Sequence, residues 1–351
     1  MDKKIVELCL SPDLGGLEIF MVKCRDFFGQ KTACKMVIAP QTKIDNYVQN
    51  EKYYIKRNKF FPLLSALKLA RFIDKEGVDV VHFHWTRDII TVVLAKILSR
   101  KKPKLIQTRN MTMTRFKDDF YHKWLYKNID MIHAVTYGVK EQLERFIPKE
   151  VRPKIVTVYM GTKERNVSQQ KIEELQRKYN ITQEDFTVGI IGRIEEGKGQ
   201  WMVIESLAKL ANPAIKALIV GHTMDAGYLQ GLKKRVQELG LEERVIFTGF
   251  TKEVDAHIRL CDVTVLATPR ETFGLVVIES MINKIPVIAT NKGGPLEIIT
   301  DKKDGLLFER NVEDLSRKIQ MVFEDHELLS HLSHNAYQTA KERFDEDVQL
   351  Q

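Results

Sequence analysis

Short apolar runs alternate with amphipathic stretches along the whole chain. Residues 5–10, 35–38, 78–84, 105–108, 131–135 and 155–159 have the length of strands. Several of them are apolar on successive positions, the pattern of parallel strands covered on both faces. Residues 63–76 and 91–100 carry helical spacing between them. The alternation then restarts. Strands are predicted at 187–191, 216–220, 244–247, 263–266, 287–289 and 306–308, with helices at 202–210, 229–239, 276–283 and 312–324. A charged helix at 169–179 would open this second half. Two such runs in succession predict an α/β protein of two doubly wound domains facing across a cleft. The expected division is 1–162 and 163–335, with a C-terminal helix over 336–351 free to return to the first domain. Ligands in such sheets bind at the carboxyl ends of the strands, so chemistry is sought in the loops that follow them.

Length agrees: 351 residues at roughly 150 per domain make two domains. Charge adds something new. Fifty-five Lys and Arg against 47 Asp and Glu leave a net +8, which favours an anionic partner. The four cysteines, Cys9, Cys24, Cys34 and Cys261, lie far apart without a C-x-x-C, and are expected as reduced thiols. No stretch approaches the length of a spanning helix. The first apolar run meets Pro12 and Asp13 too soon to form a signal-peptide core, so a cytoplasmic location is expected.

Three segments carry candidate chemistry. Gly15-Gly16 follow the first strand and precede a helix expected to start near Leu17 or Glu18. Glycines there let a ligand approach backbone N–H groups at a positive helix end, although an ordinary tight turn has the same composition. Gly192-Arg193-Ile194-Glu195-Glu196-Gly197-Lys198-Gly199 follows a strand and brings two cations into a glycine-rich turn, an arrangement suited to a diphosphate. It is not a Walker loop, because no Ser or Thr follows Lys198, and no G-x-G-x-x-G occurs in the chain. The third segment runs from Pro269 to Glu279. Phe273 and Gly274 fall where a helix should begin, with Glu271 just before it and Glu279 inside an otherwise apolar stretch. An acid in that setting needs a partner, either a sugar hydroxyl pair or a structural cation.

These residues, with Glu18, Gly293-Gly294-Pro295-Leu296-Glu297-Ile298-Ile299 and Asp304-Gly305-Leu306-Leu307, resemble the retaining glycosyltransferases of glycosyltransferase family 4. The likeness runs in order from Gly15 to Phe308, and Glu271-x7-Glu279 is its most specific part. It implies the GT-B fold of two Rossmann-like domains, with a nucleotide-sugar donor held mainly by the second. A UDP-sugar is the first expectation. Arg193 and Lys198 would clamp the diphosphate, helped by the N–H groups of Phe273, Gly274 and Leu275. Glu279 would hold the ribose and Glu271 the donor sugar. Residues 247–251, including Phe250 and Thr251, would border the base, and Gly15 and Gly16 would meet the diphosphate from the first domain. The implied reaction is hexosyl transfer with retention, by a front-face route, with no metal or other cofactor. Glu271, Lys198, Arg193 and Asn110 are the candidate catalytic residues.

The chain departs from that pattern in one place that matters. Many relatives carry T-x-H after the strand that corresponds to 104–108, whereas this chain reads Thr108-Arg109-Asn110. Asn donates a hydrogen bond but does not titrate near neutrality. Met160-Gly161-Thr162 replaces the usual N-G-[ID], a smaller change. His84, Arg109 and Asn110 are the acceptor-side candidates. His82 and His84 bracket Phe83 on one side of a strand end, but a metal site would need a third ligand that the sequence does not identify. Acceptor contact or a packed strand end are the readings left. His326, His331 and His334 are expected on a solvated helix, and Asp345-Glu346-Asp347 as a charged tail.

Residues 52–64 mix Lys52, Lys56, Arg57 and Lys59 with Phe60, Phe61 and Leu64, and 99–104 adds Arg100, Lys101, Lys102 and Lys104. Cations among apolar groups fit an anionic bilayer surface, and equally a solvated loop. Nucleic acid is not expected, since no helix-turn-helix, RNP-like or zinc pattern is present. The leading expectation is therefore a transferase peripheral at the inner face of the cell membrane, acting on a glycolipid or polysaccharide intermediate. The alternatives are the same fold on a soluble sugar phosphate, or a catalytically weak nucleotide-sugar-binding protein. A nicotinamide-dependent oxidoreductase is disfavoured by the missing phosphate fingerprint.

Overall fold

The computed structural model describes residues 3–49, 51–58, 61–223 and 225–351. The chain divides into two compact units, Met1–Tyr159 and Met160–Gln349, and residues 336–349 belong to the second. The first unit is built on β1 (Ile5–Cys9), β2 (Cys34–Ile38), β3 (Lys52–Tyr54), β4 (Val80–Phe83), β5 (Lys104–Arg109), β6 (Met131–Ala134) and β7 (Lys154–Thr157). All are parallel, in the order β3-β2-β1-β4-β5-β6-β7, with Leu8 beside Val37 and Phe83. The second unit carries β8 (Phe186–Ile191), β9 (Ile215–Val220), β10 (Val245–Gly249), β11 (Val263–Leu266), β12 (Val287–Thr290) and β13 (Leu306–Phe308) in the order β10-β9-β8-β11-β12-β13. Strands β11 and β12 are buried throughout, which is why they read as unbroken apolar runs.

The strand order fixes where ligands can enter. Each sheet grows outward in one direction and then restarts beside its first strand. The switch falls between β1 and β4 in the first unit and between β8 and β11 in the second. Diverging helices leave a crevice at that point. Helix Pro62–Glu76 shows how the sequence sets such elements. Pro62 starts it, Gly77 ends it at φ 68°, and Ala66, Leu69, Ala70 and Ile73 form its buried stripe. Burying each large side chain there contributes about 1.5–3 kcal/mol.

Two expectations are corrected. Asp345-Glu346-Asp347 is not a free tail: Asp345 caps the short helix Glu346–Leu350, and Glu346 is buried. The Thr162 N–H donates to the Phe344 carbonyl at 2.8 Å, and the Glu346 N–H to that of Thr162 at 3.1 Å. Gly161 permits this approach, since a Cβ there would lie 2.5 Å from the Glu346 Cα. Strand β3 falls in a segment predicted only as a basic loop. Its Lys52 is committed to the Asp45 carboxylate at 2.7 Å and to two nearby carbonyls, so it does not face outward as a free cation. Lys59 and Phe60 of that segment lie outside the described residues. None of the four cysteines forms a disulfide. No helix among the described residues is long and apolar enough to cross a membrane.

Candidate active site

At the switch point of the second sheet, the loop after β8 meets the loop after β11. Gly192 leaves the strand at φ 148°, and the buried Gln200 side chain donates to the Arg193 carbonyl at 2.9 Å, pinning the loop from below. Gly199 then turns the chain at φ 78° against Ala267. This delivers the Lys198 ammonium 3.3 Å from the Glu271 carboxylate, with the two side chains 26% and 21% exposed. Arg193 points to solvent and pairs with Glu195 at 3.1 Å.

Helix Leu275–Ile282 begins directly after Gly274, whose φ of 103° only glycine adopts readily. Val277, Ile278, Met281 and Ile282 anchor the helix inward, and buried Phe273 packs edge-on against Phe344. Glu279 is half-buried rather than buried, on the partly open side with Leu275 and Val276. The glycine pair 293–294 after β12 closes on this loop. The Gly294 N–H donates to the Glu271 carbonyl at 2.9 Å, and a Cβ on Gly293 would sit 2.5 Å from that oxygen. Glu271 is thereby held by its backbone while its carboxylate faces Lys198.

The neighbouring loops share the same edge. Gly221 after β9 lies against the Gly192 carbonyl with no room for a side chain. His222 meets the Phe250 ring edge-on at 5.9 Å, and Phe250 is 61% exposed. Phe250 and Thr251 also line a cavity of about 420 Å³ with Tyr179 and His257. The second unit thus places Arg193, Lys198, Glu271, Phe273, Gly274 and Phe250 on loops that follow strands of one sheet, with Leu275 and Glu279 on the helix that one of these loops enters. Gln200 went unnoticed in the sequence, and a polar side chain at the head of an apolar helix was the available signal.

In the first unit, the helix Gly16–Lys31 starts one residue before the expected point. The Glu18 carboxylate accepts the Gly15 N–H at 2.9 Å, closing a cap on the turn after β1. Asn110 follows β5, and both polar atoms of its side chain are buried without a hydrogen-bond partner. Arg109 is nearly buried and spends its guanidinium on Thr86 Oγ1 and the carbonyls of Met111 and Thr112, so it shapes the loop.

His84 is corrected: it is a packed strand end, 1% exposed, and not an acceptor-side contact. It belongs to a polar chain that crosses the sheet. The Glu7 oxygens bind His84 Nε2 at 2.6 Å and His82 Nδ1 at 3.0 Å. His82 Nε2 reaches Thr108 Oγ1 at 2.7 Å, which meets His133 Nδ1 at 3.1 Å, and His133 Nε2 donates to the Val158 carbonyl at 2.7 Å. Thr108 has one proton to give and two rings to face. Only one of those two rings can therefore accept from it. Burial would push the Glu7 carboxyl up, but the His82 charge and both imidazole hydrogen bonds hold it down at about 2. Burial and the nearby His82 take His84 down to about 4. Cys24 lies close enough for Glu7, Cys24, His82 and His84 to form a four-ligand group. Glu7 and His82 already spend their ligand atoms within the network, and a cation would have to displace those bonds.

The profile described as Glycosyltransferase Family 4 matches residues 36–163, and that described as Glycosyl transferases group 1 matches residues 171–339. The chain is 26% identical over 291 residues to N-acetyl-alpha-D-glucosaminyl L-malate synthase of Bacillus anthracis, covering 81% of this chain and 75% of that one. It is 25% identical over 288 residues to the N-acetylgalactosamine-N,N'-diacetylbacillosaminyl-diphospho-undecaprenol 4-alpha-N-acetylgalactosaminyltransferase of Campylobacter jejuni, covering 79% and 75%. Among solved structures, Anabaena HepE in complex with UDP-glucose superposes with a TM-score of 0.86 at 20% identity, over 99% of this chain and 97% of that one. The two profile matches, one in each unit, and the paired parallel sheets lead to one assignment: the chain belongs to the GT-B glycosyltransferases of the family 4 type.

Proposed function

We propose that the chain transfers a hexosyl group, with retention and without a metal, from a nucleotide sugar to a glycolipid or polysaccharide intermediate at the cytoplasmic membrane face. The observation that carries this is the Lys198–Glu271 pair at the switch point of the second sheet. Lys198 and Arg193 neutralise the donor diphosphate, and the N–H groups at the start of helix Leu275–Ile282 add positive potential. Glu271 turns from Lys198 to the donor sugar, and Glu279 takes the ribose. The bond from sugar C1 to the diphosphate oxygen breaks, and the acceptor hydroxyl oxygen bonds C1 on the same face. Its proton passes to the departing phosphate oxygen. Cations facing that oxygen act most strongly when its charge is greatest.

The buried, unpaired amide of Asn110 supports an acceptor-side role, because leaving such a group unmade costs about 1–3 kcal/mol until something occupies it. The UDP-glucose complex of HepE supports a UDP-sugar, and the Campylobacter relative's name supports a lipid-borne acceptor. Exposed Phe61, just before helix Pro62–Glu76, and Leu63 and Leu64 on its first turn support contact with a bilayer. A thermal-shift panel of UDP-, GDP- and ADP-sugars tests the donor. A ligand at 100 times its Kd should stabilise by roughly 2.7 kcal/mol, with the UDP-sugar shifting most. No shift with any nucleotide sugar contradicts the reading.

A further inference from the structure

A cavity of about 400 Å³ opens in the first unit among the turn after β4, the end of β5 and residues 112–126. This is within the usual range of small-molecule sites. Its charged lining has one sign: Arg57, Arg87, Arg109, Arg115 and Lys117, with His122 beside them and no acid. Among the described residues, Arg87, Arg109, Arg115 and Lys117 have no carboxylate at ion-pair distance, and the nearest to Arg57 is Asp88 at 3.9 Å. Asp119, the acid nearest in sequence to His122, is taken up by the His122 ring and backbone N–H.

Three of the five cations are held in place. Arg57 and Arg87 both lie over the Trp85 ring, at 4.7 and 5.4 Å from its centroid. Arg109 is 8% exposed, and its partners are two carbonyls and a hydroxyl, none of them charged. Burial lowers the Lys117 ammonium, the nearby Arg115 and Arg109 lower it further, and Asp119 opposes them only in part, so the cavity carries a net positive field. Grouped cations without counter-charge are costly unless an anion joins them. Several guanidiniums around one space suit the tetrahedral, multiply charged phosphate better than a single carboxylate.

We propose that this cavity binds the phosphate or diphosphate of the acceptor, making the acceptor a phosphorylated one. The proposal rests on the glycosyl-transfer reading above. The group can be carried on a lipid or on a soluble sugar. Met111, Phe116 and Phe120 stand exposed on the same segment that supplies Arg115 and Lys117, which favours the lipid.

Inorganic diphosphate titrated by calorimetry is the direct probe, with UDP saturating so that the loop of Lys198 is filled. The protein should bind it. Arg87→Ala with Arg115→Ala, both exposed positions, should weaken it at least about tenfold and leave the UDP Kd unchanged. Lys117→Ala should weaken it in the same direction. No diphosphate binding, or equal affinity in all three proteins, overturns the proposal. Diphosphate binding that depends on these arginines in a protein that ignores UDP keeps the cavity and defeats the donor reading. Competition then finds the carrier: displacement by a prenyl diphosphate in neutral vesicles marks a lipid, and displacement by a hexose phosphate a soluble acceptor. Displacement by neither overturns the assignment to the acceptor.

Discussion

Gly199→Ala tests whether the loop after β8 is built as described. Gly199 sits at φ 78° and ψ 25°, and a Cβ there would lie 2.7 Å from the Ala267 Cβ and 2.9 Å from its carbonyl oxygen. The left-handed conformation costs alanine about 1–2 kcal/mol. Forcing a methyl into a filled space costs about 1–3 kcal/mol more. The sum, roughly 2–5 kcal/mol, should lower the melting temperature of a unit this size by on the order of 5–20 °C. Gly197 is the internal control: nothing lies within 4 Å of its Cβ position and its φ is not positive. Gly197→Ala should therefore melt within a degree or two of the parent, since surface changes stay within about 0.5 kcal/mol. If the loop escapes the clash by moving, Lys198 leaves Glu271, and a displacement near 1 Å can cost about 10² in rate. Thermal melts and turnover, measured on both variants, cover either escape. Parent stability together with parent activity in Gly199→Ala would refute the packing argument.

Glu279→Ala should weaken UDP binding in calorimetry, whereas Glu271→Ala should leave it intact or tighter by freeing Lys198, while lowering transfer; equal weakening in both means the roles are misassigned. Asp88 offers a pH test. Burial pushes its carboxyl up to about 7, against the opposing Leu10 N–H and Arg57. A folded value above the unfolded one of about 3.9 means its contribution is full below that pH and is lost as pH rises through 7. Asp88→Asn should thus gain on the parent between pH 5 and pH 8, by about 2–3 kcal/mol, and denaturant melts giving a constant difference across that range would contradict it. The protein should co-sediment with anionic vesicles at low salt and less at high salt. Phe61→Ser with Leu64→Ser, or Ser at Arg100, Lys101 and Lys102, should reduce this, and absence of binding at low salt would refute membrane docking.

The second sheet was the more legible because β8, β11 and β12 are buried on both faces and their apolar runs need no partner to be recognised. Strand β3 escaped notice because three residues with a lysine carry no periodicity, and its pairing with β2 is a tertiary fact. Lys198 stood out between two glycines after a strand, and Glu271 just ahead of the Phe273-Gly274 helix start. That they pair depends on the switch point, which only strand order reveals. His84 misled for the same reason. Alternation placed it on a face, but the buried Glu7 opposite His82, one strand away, decided that the face was internal. The cavity of Arg57, Arg87 and Arg115 was invisible because its cations come from three separate stretches, two of them without regular structure.

Turnover of Lys198→Ala is the most direct test of the account, because the donor reading makes that ammonium face the departing diphosphate. With a nucleotide sugar accepted by the parent, acceptor saturating and chemistry rate-limiting, kcat for Lys198→Ala should fall on the order of 10²–10³ while the fold is retained. A kcat equal to that of the parent would take Lys198 out of the site, and with it the assignment of the loop after β8 to the donor.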